Sequence, residues 1–186
     1  MSAPAPHPAD NHPLVRFYRH QDGDESGRTL HGIWSWNGGR LEGVHDYIQW
    51  LFPLRTVSRF NPGAPLVTEE VAALFRTDDG LRGALLNSLE AMLVFYGFRL
   101  RADKDGKPEV FLAPDAAARQ RNWLEPHNHN LLRITRILSC LSDLGLKPQA
   151  AAFLAALEEL YRTAAPVIGT RTMNFWREAV PQDTLF

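Results

Sequence analysis

Apolar residues along this chain recur mostly at spacings of three and four, the repeat of one helix face, and no stretch sustains an alternation of two. The clearest stripe is Leu81, Leu85, Leu89, Met92, Leu93 and Tyr96. Asp78 stands before it as a cap, and Gly97 follows it where a left-handed residue closes a helix. Upstream, "PLVTEEVAALF" predicts a helix capped by Thr68, with Glu69 and Glu70 in the positive first turn and Val71, Leu74 and Phe75 facing inward. A further helix starts at Asn128 or Asn130 and runs through "LLRITRILSCLSDL" to Gly145, burying Leu131, Ile134, Ile137, Leu138, Leu141 and Leu144. In this wheel Arg136 lies nearly opposite the buried side and Arg133 on its flank. Pro148 suits the first turn of a helix "QAAAFLAALEELYRTA" that runs on to Pro166. Weaker helices are predicted after Asp115 and in "TRTMNFWREAV".

Residues 101–109 read as a charged loop. Residues 14–44 read as irregular and turn-rich, pinned by Phe17, Tyr18, Trp34 and Trp36. The expected fold class is all-α, an irregular globular domain of about five to seven helices with no confident sheet. Its extent is 14–180, after a Pro/Ala-rich lead over 1–13 expected to be disordered.

One stretch breaks the amphipathic pattern. In "HDYIQWLFPL", residues 45–54, a short helix capped by Asp46 is expected to stop before Pro53. On its wheel Tyr47, Trp50, Leu51 and Leu54 share one side, Ile48 and Phe52 lie on another, and Gln49 holds the remainder. A helix apolar almost all round is a core helix, and each large side chain buried there contributes about 1.5–3 kcal/mol. Gln49 is then expected to bond the backbone. The competing reading is an aromatic groove in which Tyr47 and Trp50 meet a peptide.

Composition narrows the function classes. The 186-residue chain has a net charge of −1, 45% hydrophobic and 22% charged residues, which is ordinary for a globular domain. A global basic field for nucleic acid is absent, although Arg119, Arg121, Arg133 and Arg136 can form a local patch that binds phosphate. With Cys140 as the single cysteine there is no intrachain disulfide, no apolar run has the length of a membrane span, and the first residues lack the pattern of a secretory signal. A soluble, intracellular, cytoplasmic protein is the expectation.

No phosphate loop, nucleophile elbow or zinc frame occurs in the sequence, so neither an enzyme nor a bound cofactor or metal is expected. His127 and His129 are spaced as two ligands on an extended segment, and His45, Asp115 and Glu125 could complete a set, but no CxxC, HExxH or DxD frame supports such a site and its shell. Cys140 between Leu138 and Leu141 reads as an inert buried thiol. The sharper candidate is "HNHNLLRITRI". Arg133 and Arg136 can fork around a carboxylate, and the helix start at His129 and Asn130 offers free N–H groups to an anion.

Three blocks resemble a known family: "LEGVHDYIQWLFPL" (41–54), "LEAMLVFYGFRL" (89–100) and "HNLLRITRILSCLSDLGL" (129–146). In order and spacing they resemble the conserved region of the opioid growth factor receptor family, over roughly residues 14 to 160. The positions that match its motifs are His45 and Tyr47 to Leu54, then Phe95, Tyr96 and Gly97, then His129, Asn130, Arg133, Thr135 and Arg136. The resemblance implies recognition of a peptide or protein segment: the animal receptor is known for binding methionine-enkephalin and restraining proliferation. It implies no catalytic residue. The expected function is a non-catalytic recognition module with Arg133, Arg136, His129, Asn130, Tyr47 and Trp50 at its binding surface. The alternative is a nucleic-acid-associated helical domain.

Overall fold

The computed structural model describes residues 7–181. The chain divides into two compact units, Met1–Asn87 and Ser88–Phe186, and the division falls within one long helix. Among the described residues there are ten helices and a two-stranded antiparallel sheet, so the fold is mostly helical but not all-α.

In the first unit α1 (Pro13–Tyr18), α2 (Leu30–Trp34) and α3 (Gly38–Gly43) occupy the segment expected to be irregular. They are too short to show a period, and each depends on a polar cap. Thr29 Oγ1 accepts from the Gly32 N–H at 3.1 Å, and Asn37 Oδ1 accepts from the Arg40 N–H at 2.9 Å. Residues 7–12, expected with the disordered lead, form a turn with Ala9 buried; residues 1–6 lie outside the described range. Phe17 and Tyr18 are buried pins as expected, whereas Trp34 and Trp36 are only half-buried. Trp36 carries the Arg40 guanidinium 4.3 Å from its ring centroid.

Next, α4 (Ile48–Leu51) ends before Pro53 as predicted, but Asp46 does not cap it. Its carboxylate instead accepts from Arg28 Nη1 at 2.7 Å. Caps on α5 (Glu69–Thr77) and α6 (Asp79–Tyr96) follow the sequence reading: Thr68 Oγ1 accepts from Val71 N–H at 3.3 Å and Asp78 Oδ1 from Leu81 N–H at 3.0 Å. The whole stripe from Leu81 to Tyr96 is buried.

Arg19 joins two acids, Asp10 at 2.8 Å and Asp78 at 3.1 Å. Burial raises the Asp78 carboxyl pKa, but the Leu81 N–H, Arg19 and the Gly80 N–H outweigh it and hold the value below 3.8. The Arg19 bond likewise holds Asp10 below its ordinary value. A folded-state pKa below the unfolded one gives stability that is complete above the unfolded value and is lost as pH falls through the folded one. The urea midpoint is therefore expected to drop on acidification below about pH 4. Asp78→Asn, which keeps a capping oxygen, should narrow its gap from the parent over that range; a gap independent of pH would contradict the assignment.

The second unit contains the end of α6, the hairpin, α7 (Ala116–Gln120), α8 (His129–Asp143), α9 (Lys147–Ile168) and α10 (Thr170–Glu178). The last three pack on one another, and α9 also packs on β2. The hairpin corrects the expected loop at 101–109. Its strands are β1 (Phe98–Ala102) and β2 (Pro108–Leu112), registered Phe98 to Leu112 and Leu100 to Val110. Asp103 Oδ1 accepts the N–H groups of Asp105 and Lys107, both at 2.8 Å, and Gly106 takes a φ of 77°, so a charged run becomes a tight turn. Five residues per strand are too few to set a period of two against the surrounding helices. Gly97 (φ 88°) and Gly145 (φ 92°) are left-handed where the sequence placed helix ends. Pro166 does not end α9: the helix breaks its geometry at Ala164 (φ −110°, ψ 15°) and continues to Ile168.

Candidate functional site

The predicted arginine face lies on α8. Asn128 caps this helix, its Oδ1 accepting from the Asn130 N–H at 2.8 Å. Asn130 is fully buried, and its Nδ2 donates to the same Asn128 oxygen at 2.9 Å. Its Oδ1 accepts from Arg133 Nη1 at 3.3 Å and from the Tyr96 hydroxyl at 3.4 Å. Both arginines lie deeper than expected: Arg133, expected on the flank, is buried at 6% exposure, and Arg136, expected opposite the buried side, is half-buried. A guanidinium can run its stem along apolar neighbours and leave its head among polar groups, which a wheel drawn on charge does not anticipate. Arg133 therefore belongs to a buried polar network with Asn130 and Tyr96.

Burial holds the Arg136 guanidinium below its ordinary pKa. Cys140 is buried, and desolvation pushes its thiol far up, with Arg136 counteracting and Asp143 adding. The thiol is protonated and unreactive in the folded protein. His129 is half-buried beside Asn130, with Nε2 3.4 Å from Asn130 Nδ2. His127 is exposed at a φ of 62°. Among the described residues no group of three His, Cys, Asp or Glu comes together to hold a metal ion.

Tyr47 and Trp50 lie in the first unit and are buried, at 0% and 6% exposure. The Tyr47 hydroxyl donates to the Leu41 carbonyl at 3.1 Å, and the Trp50 ring meets Phe17 edge-on at 5.4 Å. Neither ring offers a face to a ligand without opening the core, so the open aromatic groove is corrected to core packing. Gln49 does not bond the backbone as expected. Its Nε2 donates to Ser58 Oγ at a long 3.4 Å, and its Oε1 has no partner.

The model of the opioid growth factor receptor conserved region matches residues 15–184. The chain belongs to the opioid growth factor receptor conserved-region family. It is 40% identical over 149 residues to the opioid growth factor receptor of Rattus norvegicus, covering 79% of this chain and 25% of that protein. The Homo sapiens receptor is 38% identical over the same length, covering 79% and 21% respectively. Opioid growth factor receptor-like protein 1 of Mus musculus is 36% identical over 142 residues, covering 70% and 28%. The chain thus spans about a quarter of the length of the curated relatives it matches. No solved structure matches it.

The structure gives the opioid growth factor receptor motifs a physical content. Tyr96 of the second block and Asn130 and Arg133 of the third meet in one buried network. Trp123, outside all three blocks, closes on them: its Nε1–H donates to the Tyr96 carbonyl at 3.1 Å. Trp176 does the same on α8, donating to the Leu131 carbonyl at 3.0 Å. Sequence reasoning missed both, because nothing in the local pattern says which distant carbonyl an indole will find.

The basic patch does not assemble as drawn. Arg119 is bound to Asp115 at 2.6 Å and to the Val94 carbonyl at 2.9 Å, and Arg133 is buried, so of the four arginines only Arg121 is fully exposed. Among the described residues no helix is long and apolar enough to cross a membrane.

Proposed function

We propose that this domain is a non-catalytic intracellular recognition module that binds a peptide or protein segment through a carboxylate held at Arg136. The observation that carries the reading is the desolvated state of that guanidinium, held below its ordinary pKa by burial on a face of α8. A charge already stripped of much of its water forms a stronger ion pair than a fully solvated one, because less hydration is left to lose. Arg133 and Asn130 position the helix segment that presents it, and His129 lies at its start. The relatives' name of receptor agrees with a partner of this class.

Calorimetry of the full chain against a library of short acidic peptides tests the proposal. Arg136→Ala is expected to weaken binding by roughly tenfold or more, the worth of one charge-assisted hydrogen bond. Arg136→Lys should recover only part, since an ammonium cannot fork around a carboxylate. Equal affinity in the parent and Arg136→Ala would overturn the assignment.

A further inference from the structure

Asn37 is the asparagine of this chain that stands directly before a glycine; the others precede proline or a residue with a side chain. A side-chain carboxamide can be attacked by the backbone nitrogen of the following residue, and a Cβ on that residue hinders the attack. Glycine, which has none, leaves the approach open and the backbone able to turn. Asn37, Gly38 and Gly39 are all exposed, so solvent reaches both reacting groups.

The local geometry serves the same reaction. Asn37 caps α3, and its Oδ1 accepts from the Arg40 N–H at 2.9 Å. That bond draws electrons from the carboxamide carbon and stabilises the negative charge that develops on Oδ1 during attack. Gly38 is the first residue of α3, a position whose N–H has no acceptor within the helix, so the nucleophile is not tied up there. Closing the ring turns the Asn37 carbonyl away from the Arg40 and Leu41 N–H groups, each at 3.1 Å. A helix of six residues gives up such bonds readily, because so short a helix is scarcely stable by itself.

We propose that Asn37 is a self-modifying site that deamidates through a cyclic imide. The Gly38 nitrogen bonds to Asn37 Cγ, its proton passes through water to the departing amide, and ammonia leaves. Water then opens the imide, so the sum is one water consumed and one ammonia released, with no redox change. Opening at Cγ gives aspartate. Opening at the backbone carbonyl leaves Gly38 joined to Cγ, an isoaspartate with one extra carbon in the main chain. Aspartate remains a good cap, and its charge suits the helix start and stands three residues before Arg40. Isoaspartate loses the capping geometry and loosens α3. The change reaches the core, because α3 buries Leu41, whose carbonyl accepts from the Tyr47 hydroxyl at 3.1 Å. The modification does not depend on the Arg136 reading.

The test is peptide mapping by mass of the folded full chain after incubation at mildly alkaline pH, with released ammonia assayed alongside. Deamidation is expected first at Asn37, at a rate that rises with hydroxide, since the attacking nitrogen must lose its proton, and that is comparable with the rate of the chain unfolded in urea. Asp22–Gly23, Asp79–Gly80 and Asp105–Gly106 can close the same ring but release no ammonia, so they leave this readout untouched. Gly38→Ala should slow the release several-fold, through the backbone freedom that a Cβ removes. Asn37→Ser, which keeps a capping oxygen, should abolish it at this position and leave the urea midpoint unchanged. Trypsin should cut the isoaspartyl form after Arg40 faster than the parent, and the Asn37→Asp variant no faster. The proposal is overturned by an Asn37 that reacts no sooner than the other asparagines, or by Gly38→Ala releasing ammonia as the parent does. A folded chain slower than the unfolded one by orders of magnitude would also overturn it, showing that the cap shields the bond. An isoaspartyl form cut at the parent's rate would overturn the loosening of α3.

Discussion

Trp123→Ala is expected to lower the unfolding free energy by about 3–5 kcal/mol, the range for truncating a fully buried large aromatic. Trp123 is 0% exposed although it sits outside any helix or strand, in the connection from α7 to α8. Its ring meets Tyr96 edge-on at 5.2 Å, and its Nε1–H holds the Tyr96 carbonyl at the last position of α6. Truncation removes apolar burial, leaves a cavity and strips a partner from a helix-end carbonyl. Trp123→Phe separates these contributions, since it keeps much of the ring and loses the bond, at a smaller cost of about 1–2 kcal/mol. Urea titration followed by circular dichroism measures both. A cost below about 1 kcal/mol for the alanine variant would show that the connection does not hold the unit together.

Gly97→Ala is expected to cost about 2–4 kcal/mol through two separate effects. At a φ of 88° a side chain is strained whatever space surrounds it. A Cβ would also stand 2.9 Å from Ala116 Cα and 3.1 Å from the Ala116 carbonyl oxygen, both backbone atoms that yield only if α7 shifts. Gly106→Ala is the control, being left-handed at a φ of 77° with nothing within 4 Å of the added carbon. It should cost only the conformational part, about 1–2 kcal/mol. Equal losses for the two variants would mean that α7 gives way freely. Since Gly97 follows the residue whose carbonyl Trp123 holds, the Gly97 and Trp123 effects should not add.

The helices that carry a full apolar stripe were legible along the chain. Leu81 to Tyr96 and Leu131 to Leu144 follow the helical repeat, and Thr68, Asp78, Asn128, Gly97 and Gly145 mark their ends through local bonds and backbone freedom. Short elements were not. Helices α1 to α3 span too few residues for a period, and the hairpin hides its alternation in five-residue strands joined by a charged turn. The candidate site was legible only in outline. The motif named Tyr96, Asn130, Arg133 and Arg136, yet gave no sign that the first three share one buried network.

Local preference acts over a few residues, so capping, helical period and the stop at Pro53 are written in the chain itself. Which of two arginines three positions apart goes inside depends on what packs across from α8. Arg133 was therefore turned inward toward Asn130, and Arg136 left half in water, by tertiary contacts alone. The same holds for "YIQWLFPL". Its apolar wheel announced a core helix, and Tyr47 and Trp50 are buried accordingly. That Gln49 would reach Ser58 rather than the backbone emerged only when that segment was laid beside it, because a hydrogen bond is satisfied or lost by atoms brought together in space.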